Sequence, residues 1–84
     1  MRKVTMQITG ERLMAMHDNE MTVFVTPGAE NAPYWASRPN FQDDYAVGNT
    51  HEIIEFISVE YGTDEDELRS DETVYDFEVE VNDA

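Results

Sequence analysis

A chain of 84 residues suffices for one small domain, and such a domain buries only about 60% of the surface its unfolded chain exposes. With 40% hydrophobic and 11% aromatic residues it is too apolar for a disordered acidic tail. The absence of cysteine excludes disulfides, thiolate metal sites and cysteine nucleophiles, and a formal net charge of −14 argues by its sign against direct binding of nucleic acid.

The chain opens on alternation. Val4, Met6 and Ile8 point one way and Lys3, Thr5 and Gln7 the other, so residues 2–8 are predicted as a half-buried strand. Thr9-Gly10-Glu11 reads as a turn. Residues 12–17 carry two periods: Leu13 and His17 lie four apart, as on a helix, whereas Met14 and Met16 alternate, as on a strand, and a strand or short irregular piece is favoured. Asp18-Asn19-Glu20 is a turn, and Met21 to Thr26 is a strand rich in β-branched residues, ended by Pro27-Gly28.

After a polar loop over 27–33, Tyr34 to Ser37 forms a short strand closed by Arg38-Pro39-Asn40, and Tyr45-Ala46-Val47 forms another, stopped by Gly48. The clearest helix follows. Asn49 can cap it, with Thr50 as the rival cap; Ile53, Ile54, Ile57 and Tyr61 share one face, Glu52, Glu55 and Glu60 the other, and Gly62 terminates it. Thr63 can cap a further short turn over Asp64 to Leu68. Residues 74–81 alternate again, with Tyr75, Phe77, Val79 and Val81 inward. Residues 1–84 thus read as a single α+β domain: an antiparallel sheet of about 4–5 strands with one main helix packed on one face.

Charge is distributed unevenly. Up to Gln42, Glu11, Asp18, Glu20 and Glu30 are matched by Arg2, Lys3, Arg12 and Arg38; beyond it, the remaining 15 of the 19 acids face Arg69 alone. Asp76, Glu78 and Glu80 form a ladder with steps of roughly 6.8 Å along one strand face, and Asp64-Glu65-Asp66-Glu67 adds a dense patch. A carboxylate ladder beside an acidic helix face can imitate the phosphate spacing of a nucleic-acid strand, and a lysine- and arginine-lined groove would accept it as it accepts the nucleic acid. The expected partner-binding residues are therefore Glu52, Glu55, Glu60, Asp64, Glu65, Asp66, Glu67, Asp76, Glu78 and Glu80. Halophilic adaptation is the plain rival explanation of the acidity. Val59 falls on the acidic side of the helix, where it could make a small dry contact; Tyr34 and Trp35 fit the core better than an interface.

Catalysis is not expected. His17 and His51 are the only histidines, and no nucleophile, base and orienting group can be assembled with them. A calcium loop counted from Asp64 would place Arg69 where glycine is required, so no metal and no cofactor is expected. No run approaches the roughly 18 apolar residues of a membrane span, and Met1-Arg2-Lys3-Val4 leads into alternation rather than a signal-peptide core; the expected location is cytoplasmic. An exposed edge strand could pair two chains into a homodimer.

Two resemblances bear on function. Small size, no cysteine and a focused acidic half resemble phage-encoded DNA-mimic inhibitors, including anti-CRISPR and anti-restriction proteins. This likeness of composition implies a CRISPR effector, a restriction enzyme or a similar basic nucleic-acid-binding protein as target, met in the host cytoplasm. Separately, Tyr34-Trp35-Ala36-Ser37-Arg38-Pro39 followed by Tyr45-Ala46-Val47-Gly48-Asn49-Thr50-His51-Glu52 resembles the HicB-type antitoxin core of strand, turn, strand and helix start. That likeness spans about a third of the chain, lacks the antitoxin's DNA-binding tail, and implies a small basic RNA-cleaving toxin as partner.

Overall fold

A computed structural model describes residues 2–82. Its elements are β1 (Arg2–Thr9), α1 (Gly10–Asp18), β2 (Thr22–Val25), β3 (Tyr34–Ala36), β4 (Tyr45–Asn49), α2 (Thr50–Tyr61), α3 (Glu65–Leu68) and β5 (Val74–Val81). The α+β class and the single long helix agree with the sequence reading. The five strands, however, divide into two antiparallel sheets, a β1–β5 ribbon and a three-stranded sheet ordered β3-β2-β4.

The ribbon joins the first and last strands in a continuous register from Arg2↔Val81 to Thr9↔Val74. Its alternation sends Ile8, Tyr75, Phe77, Val79 and Val81 inward and leaves Lys3, Thr5, Gln7, Asp76, Glu78 and Glu80 exposed. In the second sheet, β3 and β4 pair with opposite edges of β2, not with each other. The core draws on every layer: Ile8, Phe77 and Val79 from the ribbon, Val23 from β2, Leu13 and Met14 from α1, Ile53, Ile54 and Ile57 from α2, and Leu68 from α3.

Residues 9–17 correct the sequence reading. Thr9 is not in a turn: it ends β1 and caps α1, its hydroxyl accepting from the Arg12 N–H at 3.2 Å. The helical pair Leu13 and Met14 is buried while Met16 is half-buried; Met14 and Met16, two apart, lie on different sides of the helix, so their spacing is no sign of a strand. Tertiary contact with α2 and α3 outweighs the weak intrinsic preference of so short a segment. Asp18-Asn19-Glu20 does reverse the chain, with Glu20 in the left-handed region at φ 56°.

Gly48 does not stop β4. The strand runs through it to Asn49, and the pairing with β2 slips between Val23 and Phe24, leaving Val47 as the extra residue of a β-bulge. Asn49 rather than Thr50 caps α2, its side chain accepting from the Glu52 N–H at 3.0 Å, and Gly62 closes that helix in the left-handed conformation at φ 68°. The cap of α3 is Asp64 rather than Thr63; it accepts from the Glu67 N–H at 2.9 Å, while Thr63 donates to the Glu67 carboxylate. Tyr61 is half-exposed at the end of α2 rather than in the core, its ring edge-on to Tyr75 at 4.8 Å. Trp35 packs against the core beside Phe77, and Tyr34 stacks on Phe24.

No described helix is long and apolar enough to cross a membrane.

Candidate functional site

The antiparallel ribbon places Asp76, Glu78 and Glu80 on one solvent face, opposite Gln7, Thr5 and Lys3. Gln7 donates to the Asp76 carboxylate at 2.9 Å, and the Lys3 ammonium lies 3.6 Å from Glu78. Both members of that ion pair are substantially exposed, so it holds little energy and leaves Glu78 open to a competing cation.

Helix α2 lies against β5 and supplies the opposite wall. Tyr61 anchors it: the Asp76 N–H donates to the Tyr61 hydroxyl at 3.3 Å, and that hydroxyl donates to the Asp76 carbonyl at 3.5 Å. Two adjoining hollows follow the seam. One, of about 510 Å3, is lined by Lys3, Thr5, Phe56, Glu60, Tyr61, Asp76, Phe77 and Glu78. The other, of about 300 Å3, is lined by Val47, Gly48, Glu52, Ile53, Phe56, Phe77, Glu78, Val79 and Glu80. Phe56, Phe77 and Glu78 belong to both. The seam is therefore an open groove with an apolar floor, acids on both walls, and Lys3 as the one cation among the described residues of its lining.

Of the ten expected residues, five meet there: Glu52 and Glu60 from α2, and Asp76, Glu78 and Glu80 from β5. Glu55 is exposed on α2 outside the groove lining. Asp64, Glu65, Asp66 and Glu67 are exposed as well, but they belong to α3, which packs on α1. There Arg69 holds Asp18 through two guanidinium bonds of 3.0 and 3.3 Å. The hydrogen bond from Arg69 holds the Asp18 carboxyl below the usual carboxylate range; Asp18 in turn raises Arg69, with smaller help from Glu65 and Asp66. The α3 acids thus form a second patch beside a cation. Val59 is 76% exposed.

Two further acids serve the fold instead of the surface. Asp44 is buried under the loop that follows β3; it accepts from the Tyr34 hydroxyl and from the Phe41 N–H. Burial pushes its carboxyl up, but the donors from Tyr34, Thr26, Phe41 and Asn40 together outweigh that and leave it below the ordinary value. Asp71 accepts from the Tyr75 hydroxyl and the Thr73 N–H. These bonds, that of Tyr75 foremost, lower Asp71 and raise the Tyr75 phenol.

His17 and His51 meet edge-on at 4.6 Å where the end of α1 approaches the start of α2, with His17 Nδ1 bonded to the Thr50 hydroxyl at 2.8 Å. Among the described residues no three acids or histidines are grouped so as to hold a metal ion.

Sequence reasoning missed Phe56, Tyr61, Gly48 and Lys3 as parts of the groove. The strand alternation that exposes Lys3 was readable. The role of Tyr61 was not, because it depends on α2 lying beside a strand far along the chain. Comparison with protein families, curated proteins and solved structures found no match.

Proposed function

We propose that this protein is a non-catalytic inhibitor that occupies the basic nucleic-acid-binding groove of a target protein by imitating the charge of a nucleic-acid backbone. The observation that supports this reading is the meeting of Glu52, Glu60, Asp76, Glu78 and Glu80 across one groove whose lining holds a single cation among the described residues. Along β5 the carboxylates step by roughly 6.8 Å, near twice the roughly 3.4 Å axial rise per phosphate of one duplex strand. A lysine- and arginine-lined surface would release its counterions to such a ladder as it does to DNA.

Glu55 and the acids of α3 lie outside the contact itself and add to the field that steers encounter. The target class that fits is a DNA-handling enzyme such as a CRISPR effector or a restriction enzyme, and the encounter would take place in the cytoplasm that holds it. The chain needs no metal or cofactor for this role.

Competition tests it. A basic target captured on the immobilised protein, eluted from it in salt and desalted, is loaded with a labelled duplex of its own substrate nucleic acid, and the protein is titrated in. Displacement of the duplex, weakened in parallel by added salt, is the expected result. A ternary complex in which duplex and protein bind together without interference would contradict groove occupancy.

A further inference from the structure

The ribbon leaves one edge of β5 unsatisfied in a definite place. β5 pairs with β1 along one side only. In an antiparallel strand the backbone groups of successive residues point to opposite edges. Two tyrosines fix which residues face away from β1. The Tyr61 hydroxyl binds both backbone groups of Asp76, and the Tyr45 hydroxyl donates to the Asn82 carbonyl at 3.1 Å. Residues 76 and 82 share parity, so Glu78 and Glu80 between them also direct N–H and C=O outward, into the smaller hollow. Tyr61 and Tyr45 close the two ends of this stretch, and among the described residues no side chain hydrogen-bonds the backbone of its middle.

The opposite wall there is Val47, Gly48, Ile53 and Phe56. β4 runs past without pairing with β5, and Gly48 lines the hollow without extending a side chain into it. A Cβ at Gly48 would meet Val79, Ile53 and the Glu52 carboxylate at no less than 3.5 Å, an ordinary contact.

We propose that the Glu78–Glu80 edge of β5 takes an extended basic polypeptide segment as an added strand. The proposal rests on the reading of this groove as the site for a cationic partner, and it names the part of that partner that enters. The chemistry follows from strand geometry. Residues directly opposite Glu78 and Glu80 carry their side chains on the carboxylate face, so lysine or arginine is favoured there. The residues between them face Gly48 and Phe56, so small apolar side chains fit. Backbone pairing supplies affinity and the alternating side chains supply selectivity. A second copy of this chain fits poorly, because two β5 edges would set Glu78 and Glu80 against their own copies.

The probe is an end-capped octapeptide alternating lysine and valine, titrated into the 15N-labelled protein, with amide exchange read at Glu78 and Glu80. Exchange at both amides should slow at least tenfold. An analogue N-methylated at its lysines, identical in charge but unable to pair along that edge, should bind at least tenfold more weakly. Gly48→Leu, which fills the slot without altering charge, should weaken the parent peptide similarly while circular dichroism shows the fold unchanged. Equal binding of the two peptides, or no slowing at Glu78 and Glu80, overturns the added strand. So does protection of those amides before any peptide is present together with a dimer in sedimentation. The duplex competition remains separate: a target that loses its duplex to this protein while the peptides behave alike retains the acidic groove and discards the added strand.

Discussion

Gly10 sets how closely α3 can approach α1. A Cβ there would lie 2.8 Å from the Leu68 carbonyl oxygen and 2.9 Å from a Leu68 methyl, and the next residue, Glu11, donates its N–H to the Asp71 carbonyl at 2.9 Å. Replacing a glycine by alanine gains about 1 kcal/mol in a helix interior and at most that at Gly10, which opens α1. Here the clash with backbone reverses the sign, and Gly10→Ala should destabilise by about 1–3 kcal/mol, read as a lower urea midpoint. Asp71, a few residues on, makes stability depend on pH at the acid limit. Its carboxyl is held low in the folded chain by Tyr75 and Thr73. Its contribution is therefore complete above the unfolded value of about 3.9 and disappears as pH falls through the lower folded value. Asp71→Asn, which keeps an oxygen able to accept those bonds, should flatten the fall of the urea midpoint below about pH 4. An unchanged slope would assign the acid limb to other groups.

At the scale of elements, α3 shows what a short helix needs. Its four residues lie far below the roughly 12–15 at which isolated helices become even marginal. It exists because Asp64 caps it and Leu68, fully buried, seats it against α1. Leu68→Ala should cost about 2–5 kcal/mol, measured by denaturant unfolding, and should loosen the Asp18–Arg69 pair, seen as a change at the Arg69 guanidinium in NMR. The same contrast explains which elements were legible in the sequence. β1, β5 and α2 bury one face at a strict period, and their limits agree within a residue or two. In α1 the methionines are unbranched and serve either geometry, and Gly10, which reads as a turn, is there to admit Leu68. Gly48 reads as a strand breaker but sits in a bulged strand. Gly10 answers a neighbour distant in sequence, of which local pattern carries no trace, whereas a Cβ at Gly48 would make only ordinary contacts and the bulge there depends on the pairing with β2.

Across the whole molecule, the acidic half of the chain folds into more than one surface. Asp76, Glu78 and Glu80 were legible as a ladder because alternation alone puts them on one face, and Glu52 and Glu60 were legible as one side of a helix. That these two rows face each other across Phe56 and Phe77 could not be read, since it depends on which strand α2 packs beside. Nor could the partition that sends Asp64, Glu65, Asp66 and Glu67 to the neighbourhood of α1 and Arg69, or the burial of Asp44. Net charge is therefore a poor guide to the site, and location is the quantity to test. Two variants with equal changes of charge separate them: Glu52→Lys, Glu60→Lys, Asp76→Lys and Glu80→Lys together in the groove, against Glu55→Lys, Glu65→Lys, Asp66→Lys and Glu72→Lys together outside it. The affinity of each folded variant for the duplex-binding target should fall at least 100-fold for the groove set and less than about fivefold for the outer set, the latter by loss of long-range steering alone. Equal losses from the two sets, or a groove set that binds as the parent does, would contradict a localised acidic site between α2 and β5.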